Sequence, residues 1–119
     1  MNIIIKVVAS VFVLSIAQSG IACDYPERVR IPTGSTASKD DMITGQKDVK
    51  TFVAAMEVYL DCIVEEEKLA RLALEDLAPE VEQQREELLN KKYNAAVDDM
   101  EKVAAQFNEE VRYYKEQSE

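Results

Sequence analysis

Cysteines and carboxylates are the side chains of this sequence with the greatest capacity for chemistry. The 119 residues include two cysteines, Cys23 and Cys62, and 23 acidic residues, but no histidine. Histidine is the commonest general base and a frequent metal ligand, so its absence excludes Ser-His-Asp triads and histidine-based metal sites. Because no nucleophile motif is present either, the sequence predicts a protein that is not an enzyme and holds no cofactor.

The densest carboxylate runs are Asp40-Asp41, Glu65-Glu66-Glu67 and Asp98-Asp99. Hard cations such as Ca²⁺ and Mg²⁺ take oxygen ligands of this kind. However, adjacent residues of a helix point in different directions, and no Asp-x-Asp-x-Asp-Gly loop occurs. We therefore interpret the three runs as solvated acidic surface and predict no metal site.

Residues 1–22 have the pattern of a signal peptide. Lys6 precedes an apolar run over 7–17, and small residues at Gly20 and Ala22 suit a cleavage site before Cys23. The run is about 11 residues long, whereas a membrane-spanning helix needs about 20. The sequence predicts export, with the mature protein periplasmic or secreted.

The two cysteines then have two interpretations. In an oxidising compartment, Cys23 and Cys62 are expected to form a disulfide, which is the interpretation that we favour. The alternative is an envelope lipoprotein tethered through Cys23, although Gly20 stands where such sites usually carry an aliphatic residue. Lipidation would leave Cys62 without a partner in its own chain.

The charge balance restricts the partners. The chain has 14 Lys and Arg against 23 Asp and Glu, a formal net charge of −9. Phosphate backbones and anionic lipid attract basic surfaces. We therefore predict no nucleic-acid partner, and no membrane contact unless Cys23 is lipidated.

Residues 23–119 are expected to form one domain, beginning with an extended arm over 23–37. The arm contains Pro26, Pro32 and Gly34 and shows no helical period. Within it, Val29 and Ile31 alternate with basic residues, which places apolar side chains on one edge.

A first long helix is predicted over 39–77. Ser38 can cap its N-terminus, with Asp41 as the acidic member of a capping box. Apolar residues recur at helical spacing through Met42, Val49, Phe52, Val53, Met56, Tyr59, Leu60, Ile63, Ala70, Ala73, Leu74 and Leu77. Pro79 prevents simple continuation, and Gly45 inside the helix indicates a close approach by the arm or by a second helix.

A second helix is predicted over 79–116. Its apolar residues have a nearly heptad spacing and are Leu89, Tyr93, Ala96, Met100, Val103, Phe107, Val111 and Tyr114. A short connection makes the helices antiparallel neighbours. The predicted fold class is therefore all-α, a long antiparallel helical hairpin with its N-terminal arm pinned to the middle of the first helix at Cys62.

The run Phe52-Val53-Ala54-Ala55-Met56 places apolar side chains around most of the first helix. One partner helix cannot cover this whole circumference. The arm can cover part of it, and a second copy of the hairpin can cover the rest by forming a four-helix bundle, so a homodimer and a monomer both stay open at this point.

Several segments together resemble small uncharacterised exported helical proteins of Gram-negative bacteria. These segments are Ile31-Pro32-Thr33-Gly34-Ser35-Thr36-Ala37-Ser38, Tyr59-Leu60-Asp61-Cys62, Lys92-Tyr93-Asn94-Ala95-Ala96-Val97 and Phe107-Asn108. The resemblance covers most of the chain after residue 22. It implies a periplasmic setting and carries no activity, ligand or functional residue.

These observations favour a non-enzymatic periplasmic interaction or chaperone-like module whose partner is an unidentified envelope protein or a second copy. The alternative from another class is a binding protein for a small apolar ligand or a cation between the helices. Tyrosine and phenylalanine side chains along both helices could line such a groove, although their spacing is also that of core packing.

Overall fold

The computed structural model describes residues 23–119, and the predicted signal peptide at 1–22 lies outside the described residues. Two α-helices, α1 (Lys39–Ala73) and α2 (Pro79–Gln117), pack against each other. Gly45 approaches Phe107, and Glu67 pairs with Arg85, so a step of 22 residues forward along α1 is a step of 22 residues back along α2. The helices are therefore antiparallel, which confirms the predicted all-α hairpin.

Helix α1 begins where the capping box predicts. The Asp41 amide donates a 3.1 Å hydrogen bond to the Ser38 hydroxyl, and the Ser38 amide donates one of 3.0 Å to the Asp41 carboxylate. These reciprocal bonds satisfy amides that have no partner inside the helix. The hydrogen bonds from Ser38 also lower the pKa of Asp41.

The predicted end of the first helix at 77 was wrong, because α1 ends at Ala73. Leu74 is already extended, and its amide bonds to the Arg71 carbonyl at 3.3 Å. Asp76 adopts a left-handed conformation with φ of 51°. The chain needs residues 74–78 to reverse direction, since Pro79 also keeps Ala78 out of the helical region.

Helix α2 begins at Pro79 as predicted and ends at Gln117, one residue beyond the predicted 116. Proline suits the first turn of a helix because it has no amide hydrogen to satisfy. The Ala78 carbonyl accepts the first bonds, from the amides of Val81 and Glu82.

The arm at 23–37 is extended as predicted and ends in a turn. The Thr33 carbonyl accepts bonds from the amides of Thr36 at 3.1 Å and Ala37 at 2.8 Å. Val29 and Ile31 pack against the core, while Arg28 and Arg30 are exposed. The alternating pattern therefore places its apolar edge on the hairpin.

The core occupies the part of the hairpin beside the arm. Within 23–119, nine apolar residues are buried: Met42, Val49, Phe52, Met56, Leu60, Ile63, Ala96, Val103 and Phe107. We call 23–63 with 96–117 the core segment, and we call 64–95 the distal hairpin. No residue of the distal hairpin is buried. Three elements thus enclose a core at one end, and two helices project beyond it.

The apolar run at 52–56 is mostly absorbed by this core. Phe52 and Met56 are buried and Val53 is half-buried, whereas Ala54 and Ala55 are exposed. Two small alanine side chains therefore remain outward on this run, and homodimerisation stays a prediction. Within 23–119, neither helix has the length and hydropathy to cross a membrane.

Candidate interaction surface

The disulfide that joins Cys23 to Cys62 is the first of the contacts that hold the arm on the hairpin. It ties the start of the arm to α1, with the two Cα atoms 5.7 Å apart, and it is the pairing that the sequence predicts. A sulfur atom in a disulfide has no free valence for a lipid thioether. This arrangement of the arm and a lipidated Cys23 therefore exclude each other.

Tyr25 attaches the arm to both helices just beyond the disulfide. Its ring packs edge-on against Tyr59 of α1, with the ring centroids 4.9 Å apart. Its hydroxyl donates a 2.7 Å hydrogen bond to the Asp99 carboxylate of α2. Desolvation, together with this hydrogen bond and the charge of Asp99, raises the pKa of Tyr25 to about 12.

Gly34 attaches the other end of the arm to α2. Its amide donates a 2.6 Å hydrogen bond to the Glu110 carboxylate, and the Gln117 side-chain amide donates to the carbonyls of Gly34 and Ala37. A Cβ atom at Gly34 would lie 1.8 Å from the Glu110 carbonyl oxygen. Glycine is needed here because the backbone of the arm lies directly on the backbone of α2.

Gly45 permits a second close approach, as its position inside the first predicted helix indicates. A Cβ atom there would lie 2.7 Å from the Pro32 ring of the arm and 3.3 Å from the Phe107 ring of α2. The arm, α1 and α2 therefore also meet at Gly45.

An ionic cluster joins the two helices of the distal hairpin. Both carboxylate oxygens of Glu67 accept hydrogen bonds from Arg85 across the hairpin, at 2.9 and 3.0 Å, and Arg71 donates a third of 3.0 Å. Desolvation alone would raise the pKa of Glu67, but the two arginines outweigh it, and the pKa is lower than usual. The cluster fixes the two helices relative to each other just beyond the core.

No family model, curated protein or solved structure matches the chain. The contacts and exposure of its own residues therefore define the candidate site.

The distal hairpin exposes apolar side chains on both helices. Leu72 is 77 % exposed and Leu88 is 56 % exposed. The other large apolar residues exposed there are Val64, Leu69, Leu74, Val81 and Tyr93. A protein normally exposes such residues singly, whereas a group of them on one projecting element is typical of an interaction surface.

The three carboxylate runs lie in different parts of the structure. Asp40 and Asp41 lie in the first turn of α1, Glu65, Glu66 and Glu67 open the distal hairpin, and Asp99 accepts the bond from Tyr25. In the described part of the chain, 23–119, no three acidic or cysteine residues are arranged to hold a metal ion. Residues 23–119 thus contain no such set for the alternative of a bound cation, which stays a prediction.

Side chains fill the space between the helices in the middle of the core segment. Met56 is fully buried, and Phe52 and Phe107 are 4 % and 8 % exposed. The aromatic residues along the helices thus serve as core packing here, the second of the two interpretations given for their spacing. Near the start of α1, a cavity of about 220 Å³ lies between the helices, and Met42, Ile43, Phe107, Val111 and Tyr114 form its apolar lining. A small apolar ligand stays a prediction.

Several residues that hold the arm were not identified from the sequence. Asp99, Glu110 and Gln117 contact residues 74 to 83 positions away in the chain, and they have the appearance of ordinary surface residues of an amphipathic helix. Gly34 carried the one available signal, because a glycine in an arm rich in proline can mark a close backbone approach.

Proposed function

We propose that this protein is a non-enzymatic interaction module of the periplasm that acts in a chaperone-like manner, holding partner proteins through the distal hairpin. The observation that carries the proposal is the exposure of apolar side chains over 64–95, where no residue is buried. These side chains contribute little to the core of their own chain. Their burial against a partner would add about 25 cal/mol for each Å² of apolar surface removed from water.

The charge of the distal hairpin is suited to keeping a complex with an apolar partner soluble. Residues 64–95 contain nine acidic and five basic residues, a net charge of −4. Net charge on a surface keeps a protein soluble and opposes its self-association. An acidic projection with interspersed leucines can therefore cover an apolar partner surface and still keep the complex in solution.

The disulfide supports the proposed compartment. A disulfide is stable in oxidising environments such as the periplasm. Export through a cleaved signal peptide at 1–22 is part of the same proposal. Intact-mass measurement of the protein from its envelope should find a chain beginning near Cys23 with two alkylatable thiols that appear after reduction. A mass increased by acyl chains would instead establish the lipoprotein.

The function can be tested with a thermally unfolding model client such as citrate synthase, whose aggregation is followed by light scattering. The protein is expected to delay aggregation at equimolar amounts. A variant carrying Leu69→Gln, Leu72→Gln and Leu88→Gln should lose most of this effect, because it removes three exposed apolar side chains from the distal hairpin. The matched control is Val58→Gln, which changes a residue 69 % exposed on the core segment.

The control variant should protect the client as well as the unmodified protein does. Absence of protection by the unmodified protein, or equal loss in the Val58→Gln variant, would contradict a holding function of the distal hairpin. Since all four positions are exposed, circular dichroism should show unchanged helix content in every variant.

A further inference from the structure

The cavity near the start of α1 lies between matching faces of the two helices. The residues that line it include Lys39, Ile43 and Gln46 of α1 and Phe107, Val111 and Tyr114 of α2. On each helix these residues are four and three positions apart, a spacing that places them on one face. None of the lining residues belongs to the arm, so the two helices alone form the cavity. We call it the end cavity.

The interior of the end cavity is apolar. Met42 and Phe107, which belong to the buried core, are 7 % and 8 % exposed and form its floor. Ile43 also lines the cavity and is 40 % exposed. An exposed isoleucine beside a buried floor shows that the cavity opens to solvent, which gives a ligand a way in.

The polar lining of the end cavity is suited to an anion. Lys39 is the one charged residue among those that line it, and the side-chain amide of Gln46 can donate a hydrogen bond as well. Within 23–119, Lys39 forms no ion pair with an acidic side chain. Asp41, the acidic member of the capping box, lines a different cavity, between α1 and the arm. The end cavity therefore combines an apolar interior with one positive charge.

We infer that the end cavity binds a small amphiphilic anion, with its apolar chain between Ile43 and Val111 and its anionic group beside Lys39. The volume of about 220 Å³ limits the size of this ligand. An apolar cavity of about 150 Å³ is large enough for benzene, so the end cavity holds a single chain of roughly eight carbon atoms. A straight-chain carboxylate such as octanoate has this size, whereas the two long chains of a membrane phospholipid exceed it.

The inference goes beyond the proposed function. The end cavity belongs to the core segment, whereas the proposed holding surface is the distal hairpin. Octanoate binding without protection of the client would support the end cavity and contradict the holding function. Protection without octanoate binding would contradict the end cavity and support the holding function.

Nuclear magnetic resonance of isoleucine δ1 methyl groups can locate the ligand on the purified protein beginning at Cys23, with its disulfide intact. The three isoleucines of 23–119 lie at separate places: Ile31 in the arm, Ile43 at the end cavity and Ile63 in the core near the distal hairpin. Titration with octanoate should shift the Ile43 signal and leave the other two unchanged. Equal shifts of all three signals, or no shift of Ile43, would overturn the inference.

Two further ligands separate the contribution of the chain from that of the charge. Butanoate should bind at least about tenfold more weakly than octanoate, because each methylene group removed from water is worth about fourfold in affinity. Octylammonium should bind at least about threefold more weakly than octanoate, because it brings a positive charge to Lys39. Equal binding of octylammonium and octanoate would overturn the assignment of an anion.

The variant Lys39→Gln tests the charged end of the site. It should weaken octanoate binding about threefold, as expected for an exposed ion pair, and should not weaken octylammonium binding. The matched control is Lys50→Gln, which removes the same charge from an exposed position of α1 outside the lining. Octanoate affinity should stay within about 1.5-fold in this control, since salt screens distant exposed charges. Equal weakening by both variants would contradict the site.

Two other occupants of the end cavity would each overturn the inference. Vesicles of phosphatidylglycerol and phosphatidylethanolamine should leave the Ile43 signal unchanged, and a shift equal to that caused by octanoate would assign the cavity to membrane lipid. Sedimentation of the protein without ligand tests for a second copy. A dimer that Ile43→Gln disperses would show that the partner chain covers the cavity.

Discussion

At the scale of single residues, two glycines determine how closely the arm can lie on the helices. Gly34 rests on the backbone of α2 near Glu110, and Gly45 allows Pro32 to reach the interior of the hairpin. Neither glycine has a positive φ. Their role is therefore one of space, since any side chain would push the arm outward.

Gly34→Ala is expected to destabilise the protein by about 1 to 3 kcal/mol, the usual cost of overpacking. The added Cβ would lie 1.8 Å from the Glu110 carbonyl oxygen, so the backbone must move and its bond to Glu110 weakens. Urea unfolding followed by circular dichroism measures the change. Ser35→Ala, at an exposed neighbour, should stay within about 0.5 kcal/mol of the unmodified protein, and equal stability of both variants would contradict the close contact.

Tyr25 predicts a specific response to alkaline pH. Its pKa is raised from 10.0 to about 12 in the folded protein, so the folded state retains the phenolic proton more strongly than the unfolded state does. The stabilising contribution of Tyr25 is therefore complete below pH 10 and is lost as pH rises towards 12. Tyr25→Phe should remove this part of the pH dependence.

Ultraviolet titration of the phenolate absorbance measures the effect. The unmodified protein should show one tyrosine ionising near pH 12 that is missing from Tyr25→Phe. In a matched Asp99→Asn variant, this tyrosine should ionise at a lower pH because the carboxylate charge is gone. If the titration curve of Asp99→Asn coincides with that of the unmodified protein, Tyr25 does not bond to Asp99.

At the scale of elements, each helix is divided into a packed part and a projecting part. Helix α1 is packed from Met42 to Ile63, and α2 from Ala96 to Phe107, while no residue between Val64 and Ala95 is buried. The boundary coincides with Cys23, where the described arm begins. Beyond this boundary the arm is absent, and two helices alone bury too little surface to enclose a core.

Hydrogen exchange should therefore differ along the same helix. Amides of 66–72 and 83–94 are expected to exchange at least about tenfold faster than those of 50–62 and 99–108, because local opening costs less where few apolar contacts are broken. Mass spectrometry of proteolytic peptides resolves these segments. Uniform protection along both helices would show that the distal hairpin is packed in solution, as it would be in a constitutive dimer.

At the scale of the whole molecule, the disulfide holds the arm against the hairpin. It closes a loop across a sequence separation of 39 residues. The chain-entropy account gives about 3 to 4 kcal/mol for a loop of this size. For a domain stable by about 5 to 15 kcal/mol, this is a large share.

Replacing both cysteines, with Cys23→Ser and Cys62→Ser, should lower the free energy of unfolding by about 3 to 4 kcal/mol through greater freedom of the unfolded chain. Urea unfolding with and without a reducing agent measures the effect. The reductant should destabilise the unmodified protein by a similar amount and leave the double variant unchanged. A reductant that changes neither protein would show that the disulfide is absent in solution.

The helical elements could be derived from the sequence because their signals are local. The recurrence of apolar residues at three and four positions, the capping box at Ser38 and Asp41, and Pro79 at the start of α2 all act within a few residues. These signals reflect backbone geometry that is the same in any helix. The sequence also names the partners of any disulfide within the chain, since it has two cysteines and one possible pairing, but it left a lipidated Cys23 open as the alternative.

Only the tertiary structure decided where α1 ends and how far the core extends. The apolar period continues past Ile63 through Ala70, Leu74 and Leu77, yet none of these residues is buried. Burial depends on a third element, which is the arm. The arm covers the hairpin beside the core and leaves Leu69 and Leu88 exposed. The contacts that place it, Tyr25 with Asp99 and Gly34 with Glu110, join residues 74 and 76 positions apart. Local periodicity carries no information about such distant pairs, because many surface carboxylates of α2 could accept the same hydrogen bonds.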